Sequence, residues 1–175
     1  GVENLVKSLE LVGGKLIQIS TDYVFDGNHF LPYDESDLIN PIGVYGQSKR
    51  GGEIAIVESD IDAIVIRTSW LYSSFGNNFV KTMMRLGEER EVLKVIYDQI
   101  GTPTYAFDLA KVCLEILFNE RTRKLSAEGK IYHYSNEGVT SWFDFACAIM
   151  DLAGIDCKVD PIETKFGNRT LRNTK

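Results

Sequence analysis

The sequence predicts an α/β fold built on a parallel sheet, and three observations lead there. Short β-prone runs alternate with helical patterns, the signature of a sheet wrapped by helices. A helical stretch from about Ile42 to Glu58 separates the runs KLIQIS (15–20) and IDAIVIR (61–67), which makes a β-α-β unit and favours parallel pairing. Two connections, TDYVFDGNHFLPYDESDLINP (21–41) and TSWLYSSFG (68–76), are too long for simple turns and leave the carboxyl ends of predicted strands. Long loops in compact domains are commonly functional, and that edge of an open α/β sheet is where ligands bind.

Each element has its own signal. In GVENLVKSLELVGG, Val2, Leu5, Val6, Leu9 and Val12 fall at helical spacing and Gly13-Gly14 supplies a stop, so the chain begins inside or just before a helix. After the first β-α-β unit the pattern repeats: a helix from about Asn77 to Arg90, a strand VLKVIY (92–97), a helix from about Tyr105 to Asn119, and a strand KIYHYS (130–135). Thr140 or Ser141 can cap a last helix, SWFDFACAIMDLAG, which Gly154 ends. No internal repeat or low-complexity segment interrupts the alternation.

Composition narrows the function. With 44% hydrophobic and 25% charged residues, the 175-residue chain can bury an ordinary core and does not read as disordered. A formal charge of −6 leaves no basic stripe to neutralise phosphates, so nucleic acid is not an expected partner. Cys113, Cys147 and Cys157 lack metal-ligand spacing, and the first two sit in apolar helical patterns where a reduced thiol is usual, so a reducing cytoplasm is expected. No apolar stretch is long enough to span a bilayer and the opening residues lack a signal-peptide layout, so no membrane partner is expected. His29 and His133 have no second ligand at metal spacing, which argues against a metal. Asp34, Glu35 and Asp37 read as a solvated acidic run, and the sequon Asn168-Arg169-Thr170 as chance.

Tyr45 and Lys49, in VYGQSK, stand four apart in a predicted helix and share one face, about 6 Å apart along the axis. A phenol, with an ordinary pKa of about 10, is a poor acid-base group at neutral pH unless a neighbouring ammonium favours the phenolate. Lys49 would supply that charge. Glu53, one turn further on, could pair with Lys49 and fix it. Thr21 ends a strand ahead of the first long loop, where its hydroxyl could hold a carbonyl; Ser20 beside it could share that role. Taken alone, a Tyr-x-x-x-Lys pair is more often an exposed Tyr beside a solvated Lys.

Context changes that weighting. ISTDYVFDG, NPIGVYGQSKRGGE, VIRTSWLY, GNNFVKTM and DQIGTPT occur in order, each at an element end. Together they closely resemble the extended short-chain dehydrogenase/reductases, and within them the dTDP-4-dehydrorhamnose reductases, from Val2 to about Trp142. The resemblance implies a Rossmann-like parallel sheet with its N-terminal units missing, occupying residues 1–100, followed over 101–175 by a mixed region, partly Rossmann helices and partly a small α/β substrate-binding domain. It implies NADPH or NADH as reductant and a dTDP-sugar as substrate, with Thr21, Tyr45 and Lys49 as the catalytic set. Ser20, Tyr45, Lys49 and Thr68 would then contact the cofactor, and Thr21, Asp22, Trp70, Asn78, Gln99 and Thr104 the substrate. Other readings of Trp70 as a loop anchor, Asn77 as a helix cap, and Gly101 with Pro103 as turn residues stand beside these.

The chain departs from the family in two places. It contains no Gly-x-Gly-x-x-Gly run to bring backbone amides to a pyrophosphate, so it is expected to be a fragment that binds dinucleotide poorly on its own. The tail NRTLRNTK matches only loosely, which leaves the role of Arg169 open. A non-catalytic regulatory subunit, like that of methionine adenosyltransferase, and a nucleotide-sugar epimerase or dehydratase are the competing expectations on this scaffold. Oligomeric state is open, with a homodimer among the options.

Overall fold

The computed structural model describes residues 1–119 and 130–167, so Arg169 and the sequon lie outside the described residues. In chain order the elements are α1 (Val2–Val12), β1 (Lys15–Thr21), α2 (Val44–Val57), β2 (Asp62–Thr68), β3 (Leu71–Tyr72), α3 (Phe79–Glu89), β4 (Val92–Ile96), β5 (Ile100–Gly101), β6 (Thr104–Tyr105) and α4 (Ala106–Phe118). They continue with β7 (Ile131–His133), β8 (Thr140–Ser141), α5 (Trp142–Ala153), β9 (Lys158–Ile162) and α6 (Thr164–Gly167). Two compact units result, each drawn from two stretches of sequence: Gly1–Ser69 with Asp108–Tyr134, and Trp70–Phe107 with Ser135–Lys175. The sequence division at residue 100 cuts the chain once, whereas these units interleave.

The first unit carries a three-stranded parallel sheet in the order β1-β2-β7, with Ile17 opposite Ile64, Ser20 opposite Arg67 and Thr21 opposite Thr68. β2 is central and buried on both faces, which is why IDAIVIR is almost wholly apolar. Its alternation separates two cores. Ala63 and Val65 pack with Val6 of α1 and Ile56 of α2, whereas Ile64 and Ile66 pack with Leu109 of α4 and with Ile17 and Ile19 of β1. Ile56, Ile66 and Val65 are almost completely buried, each worth on the order of 1.5–3 kcal/mol in apolar transfer. The predicted opening helix forms, but it is amphipathic in a narrow sense. Val6 is buried, Val2 and Leu9 pack at the edge, and Leu5 and Val12 stay largely exposed.

The second unit corrects one expectation. The strand expected at 92–97 does not extend the first sheet: β4 pairs in parallel with β9, from Val92 opposite Lys158 to Ile96 opposite Ile162. β9 has no signal in the sequence reading, because KVDPI mixes charge and Pro161 with only two aliphatic residues. Met83 of α3, Leu93 and Val95 of β4, and Ala146, Ile149 and Met150 of α5 form this unit's core. Two more pairs are too short to show periodicity, β3 with β6 in parallel and β5 with β8 antiparallel. Ser141, not Thr140, caps α5 by accepting from the Asp144 amide at 3.0 Å, and Gly154 closes it in the left-handed conformation. Likewise Asn78, rather than Asn77, caps α3.

No helix among the described residues is long and apolar enough to cross a membrane, and no group of three metal-ligating side chains occurs among them.

Candidate active site

The first unit brings Thr21, Tyr45 and Lys49 to the carboxyl end of β1. α2 begins at Val44, so Tyr45 and Lys49 lie in its first turns, on one face. The helix can approach this closely because residue 46 is glycine: a Cβ there would collide with the Tyr23 carbonyl oxygen and lie 3.0 Å from the Pro41 Cβ. Lys49 turns inward and its Nζ donates to the Ile19 carbonyl at 2.9 Å, which anchors the ammonium on β1. Tyr45 remains 57% exposed, with its ring edge-on to Tyr23 at 5.9 Å between centroids.

Thr21 is buried, and its hydroxyl is already engaged. It donates to Asp22 Oδ1 at 3.0 Å and accepts from the Tyr23 amide at 3.3 Å, which caps the 3₁₀ turn Asp22–Val24. Burial pushes the Asp22 carboxyl above its ordinary value, opposed by the bond from Thr21, and burial with the adjacent Asp22 charge raises the Tyr23 phenol as well. Thr68 ends β2 directly opposite Thr21. Its Oγ1 is buried without a hydrogen-bond partner among the described residues, and a buried polar atom in that state is costly unless something meets it.

Ser20 and Glu53 meet each other. The Ser20 hydroxyl is buried and donates to Glu53 Oε1 at 2.5 Å. Glu53 does not pair with Lys49; it takes Arg67 of β2 in a two-point ion pair, with Nε to Oε1 at 3.0 Å and Nη2 to Oε2 at 2.8 Å, both side chains 2% exposed. The sequence held a signal for this pair. Arg67 falls on the same face of β2 as Ala63 and Val65, and a charge in an otherwise apolar central strand requires a buried partner.

His133 and the first long loop are also less isolated than expected. His133 Nε2 lies 3.3 Å from Arg67 Nη1, and its ring meets Phe25 edge-on at 5.7 Å. Its amide donates to Glu35 Oε1 at 2.6 Å, so Glu35 ties the loop to β7 instead of being simply solvated. Burial lowers the His133 pKa, with the Arg67 charge in the same sense and Glu35 opposing. The loop carries its own scaffold as well: Tyr33 stacks on Phe25 at 4.3 Å and donates to Asp26, which also accepts from Asn40.

The remaining predicted contacts lie in the second unit. Trp70 adopts a left-handed backbone, φ 46°, and its indole stacks on that of Trp142 at 3.5 Å and 8° between planes. Glycine at 101 leaves room for that indole, since a Cβ there would run into it. The sequence reading missed Trp142, which it treated only as part of a helix. Asn78 spends both ends of its amide locally, accepting from Lys81 N and donating to the Ser73 carbonyl at 2.6 Å. Gln99 is exposed and donates to Thr164 Oγ1 at 3.2 Å. Thr104 has no exposed surface, and its hydroxyl is buried without a partner among the described residues.

A family model described as RmlD substrate binding domain matches residues 1–174. The chain belongs to that family. Its relatives include the spore coat polysaccharide biosynthesis protein SpsK of Bacillus subtilis, 43% identical over 92% of this chain and 54% of that protein. The dTDP-4-dehydrorhamnose reductase of Aggregatibacter actinomycetemcomitans is 43% identical over 87% of this chain and 52% of its own. Among solved structures, a dTDP-4-dehydrorhamnose reductase from Bacillus anthracis in complex with NADP superposes with a TM-score of 0.87 at 43% identity, covering 95% of this chain and 57% of that one. The α/β fold with parallel sheets is therefore that of the Rossmann-like reductases, and this RmlD-family chain spans about half the length of the relatives it matches.

The donor set at the end of β1 and β2 could hold one end of a nicotinamide cofactor. An anchored ammonium, an exposed phenol and the orphaned Thr68 hydroxyl are chemically suited to a ribose. The chain has no Gly-x-Gly-x-x-Gly turn for the pyrophosphate.

Proposed function

We propose that this RmlD-family chain is the catalytic segment of a larger NAD(P)H-dependent reductase acting on the 4-keto group of a dTDP-deoxysugar, dTDP-4-dehydrorhamnose in the first instance. The observation that carries the reading is the Lys49 ammonium fixed on the Ile19 carbonyl, one helical turn from an exposed Tyr45, beside the strand end at Thr21. When bound, a reduced nicotinamide supplies hydride. Tyr45 donates the proton that completes the alcohol, and Lys49 offers its ammonium to the ribose. The Thr21 hydroxyl turns from Asp22 to the carbonyl oxygen of the sugar and orients it. Trp70, held flat on Trp142, is a rigid apolar surface of the kind that packs on a sugar ring.

The test is oxidation of NADPH or NADH with dTDP-4-dehydrorhamnose, followed spectrophotometrically, for a polypeptide of the relatives' full length that carries this segment. Tyr45→Phe is expected to lower kcat about 10²–10⁴-fold, the usual range for losing a positioned proton donor. A folded, cofactor-binding protein that consumes no 4-keto sugar, or converts it with no net cofactor oxidation, would contradict the assignment.

A further inference from the structure

We propose that Glu53, paired with Arg67, is a positioning residue for Tyr45 and Lys49: the buried ion pair sets α2 in place on β1 and β2 and so determines where the reacting groups stand relative to Thr21. The inference rests on the reductase reading only for what the positioned groups do. Its geometry is independent.

Tyr45, Lys49 and Glu53 recur every four residues and project from one face of α2, so any slide or rotation of the helix moves all three together. Two polar contacts hold that face on β1 at successive residues, Lys49 on the Ile19 carbonyl and Glu53 on the Ser20 hydroxyl. The second is backed across the sheet. Ser20 and Arg67 are register partners, and the Arg67 fork closes on both Glu53 oxygens. Arg67 is itself held from the far side by His133 and by the Phe25 ring, 5.1 Å from its guanidinium carbon. Thr21, the residue after Ser20, is thereby tied to the same lattice.

Stability alone does not account for this arrangement. An apolar pair of similar volume often stabilises as well as a buried ion pair does, or better, because the desolvation of two charges offsets their attraction. What a two-point Arg-carboxylate contact adds is direction: the planar fork fixes distance and angle together, which an aliphatic contact does not. Misplacement of reacting groups by about 1 Å can cost about 10²-fold in rate, so an alignment device of this kind has a measurable effect.

The deciding variant is Glu53→Leu with Arg67→Met, which removes both charges and leaves neither unpaired. In the full-length protein it is expected to melt a few degrees below wild type, because the buried Ser20 hydroxyl loses its acceptor, while kcat falls on the order of tenfold to a hundredfold. KM for the sugar is expected to change much less. The same variant of the 175-residue chain supplies a readout free of activity: proton exchange at the Lys49 ammonium, followed by ¹⁵N NMR, is expected to be slow in wild type and fast in the double variant. Arg67→Lys keeps the charge but loses the fork, and stands in if the double variant does not fold; it should lower kcat by a smaller factor. Unchanged kcat in either folded variant, or unchanged Lys49 exchange in the double variant, overturns the proposal. If the wild-type parent turns over no sugar, the reductase reading fails while the Lys49 exchange still decides the positioning.

Discussion

Gly46→Ala tests how α2 reaches the strand end. In the interior of a helix, alanine is normally favoured over glycine by about 1 kcal/mol. At position 46 the new Cβ would fall against the Tyr23 carbonyl oxygen, 3.0 Å from the Tyr23 carbonyl carbon and 3.0 Å from the Pro41 Cβ. Two of those three atoms are backbone and cannot swing away, so the helix or the 21–24 turn must shift, an overpacking cost of about 1–3 kcal/mol. Net destabilisation of up to about 2 kcal/mol is expected, a fall in Tm of up to about 8 °C at ~2–4 °C per kcal/mol for a chain of this size. Gly51 provides the control within the same helix. A Cβ there meets nothing within 4 Å, so Gly51→Ala should raise Tm by up to about 4 °C through propensity alone. Circular-dichroism melts of the two variants beside wild type decide the matter. A Gly46→Ala protein as stable as Gly51→Ala would refute the close approach of α2 to Tyr23, and with it the placement of Tyr45.

Two further predictions concern side chains whose contacts the sequence did not announce. His133 has a folded-state pKa below the ordinary 6.5, so its neutral form is favoured in the fold; the stability this contributes is complete above 6.5 and is lost as pH falls from 6.5 through the lowered value. His133→Gln should flatten the dependence of Tm on pH between about 7.5 and 5, and an equally steep slope in the variant would count against it. Trp142→Ala removes a half-buried indole stacked on Trp70 and tilted against Phe79, and is expected to destabilise the second unit by about 2–4 kcal/mol in urea titrations, below the range of a fully buried Trp. Because Trp70 and Trp142 are the chain's two tryptophans, the near-ultraviolet signal of their stack should vanish with it, and a loss under about 1 kcal/mol would show that the stack is not structural.

Much of the fold could be read from local pattern. The helices α2 to α5 and the strands of the first sheet fall within a few residues of their signals, because periodicity and stop residues are properties of short windows. What escaped depends on partners distant in sequence. β9 reads as a loop until Val92 and Ile96 give it a neighbour, and no window around residue 92 says which sheet that strand joins. At the site, Tyr45 and Lys49 were legible because one helical turn separates them. Glu53 was visible but assigned to the nearest cation, Lys49, since helical spacing is explicit in a sequence and a bond to Arg67 across a strand is not. Trp70 was singled out, whereas Trp142, stacked against it from the other end of the unit's sequence, could be found only in three dimensions.

The interleaving of the two units has a consequence for how the chain comes into being. Emerging from a ribosome, β2 must wait for its partner β7 at 131–133, and by then all of the second unit's first stretch has been made. β4 waits longer still, from residue 92 until its partner begins at 158. Neither unit is finished early, and non-local pairings of this kind are slow to form because the chain must close a long loop before any contact rewards it. Until its partner arrives, each half-built unit offers an unpaired strand edge to other chains. The apolar runs that make β2 a good central strand are, during that interval, what a chaperone would have to cover.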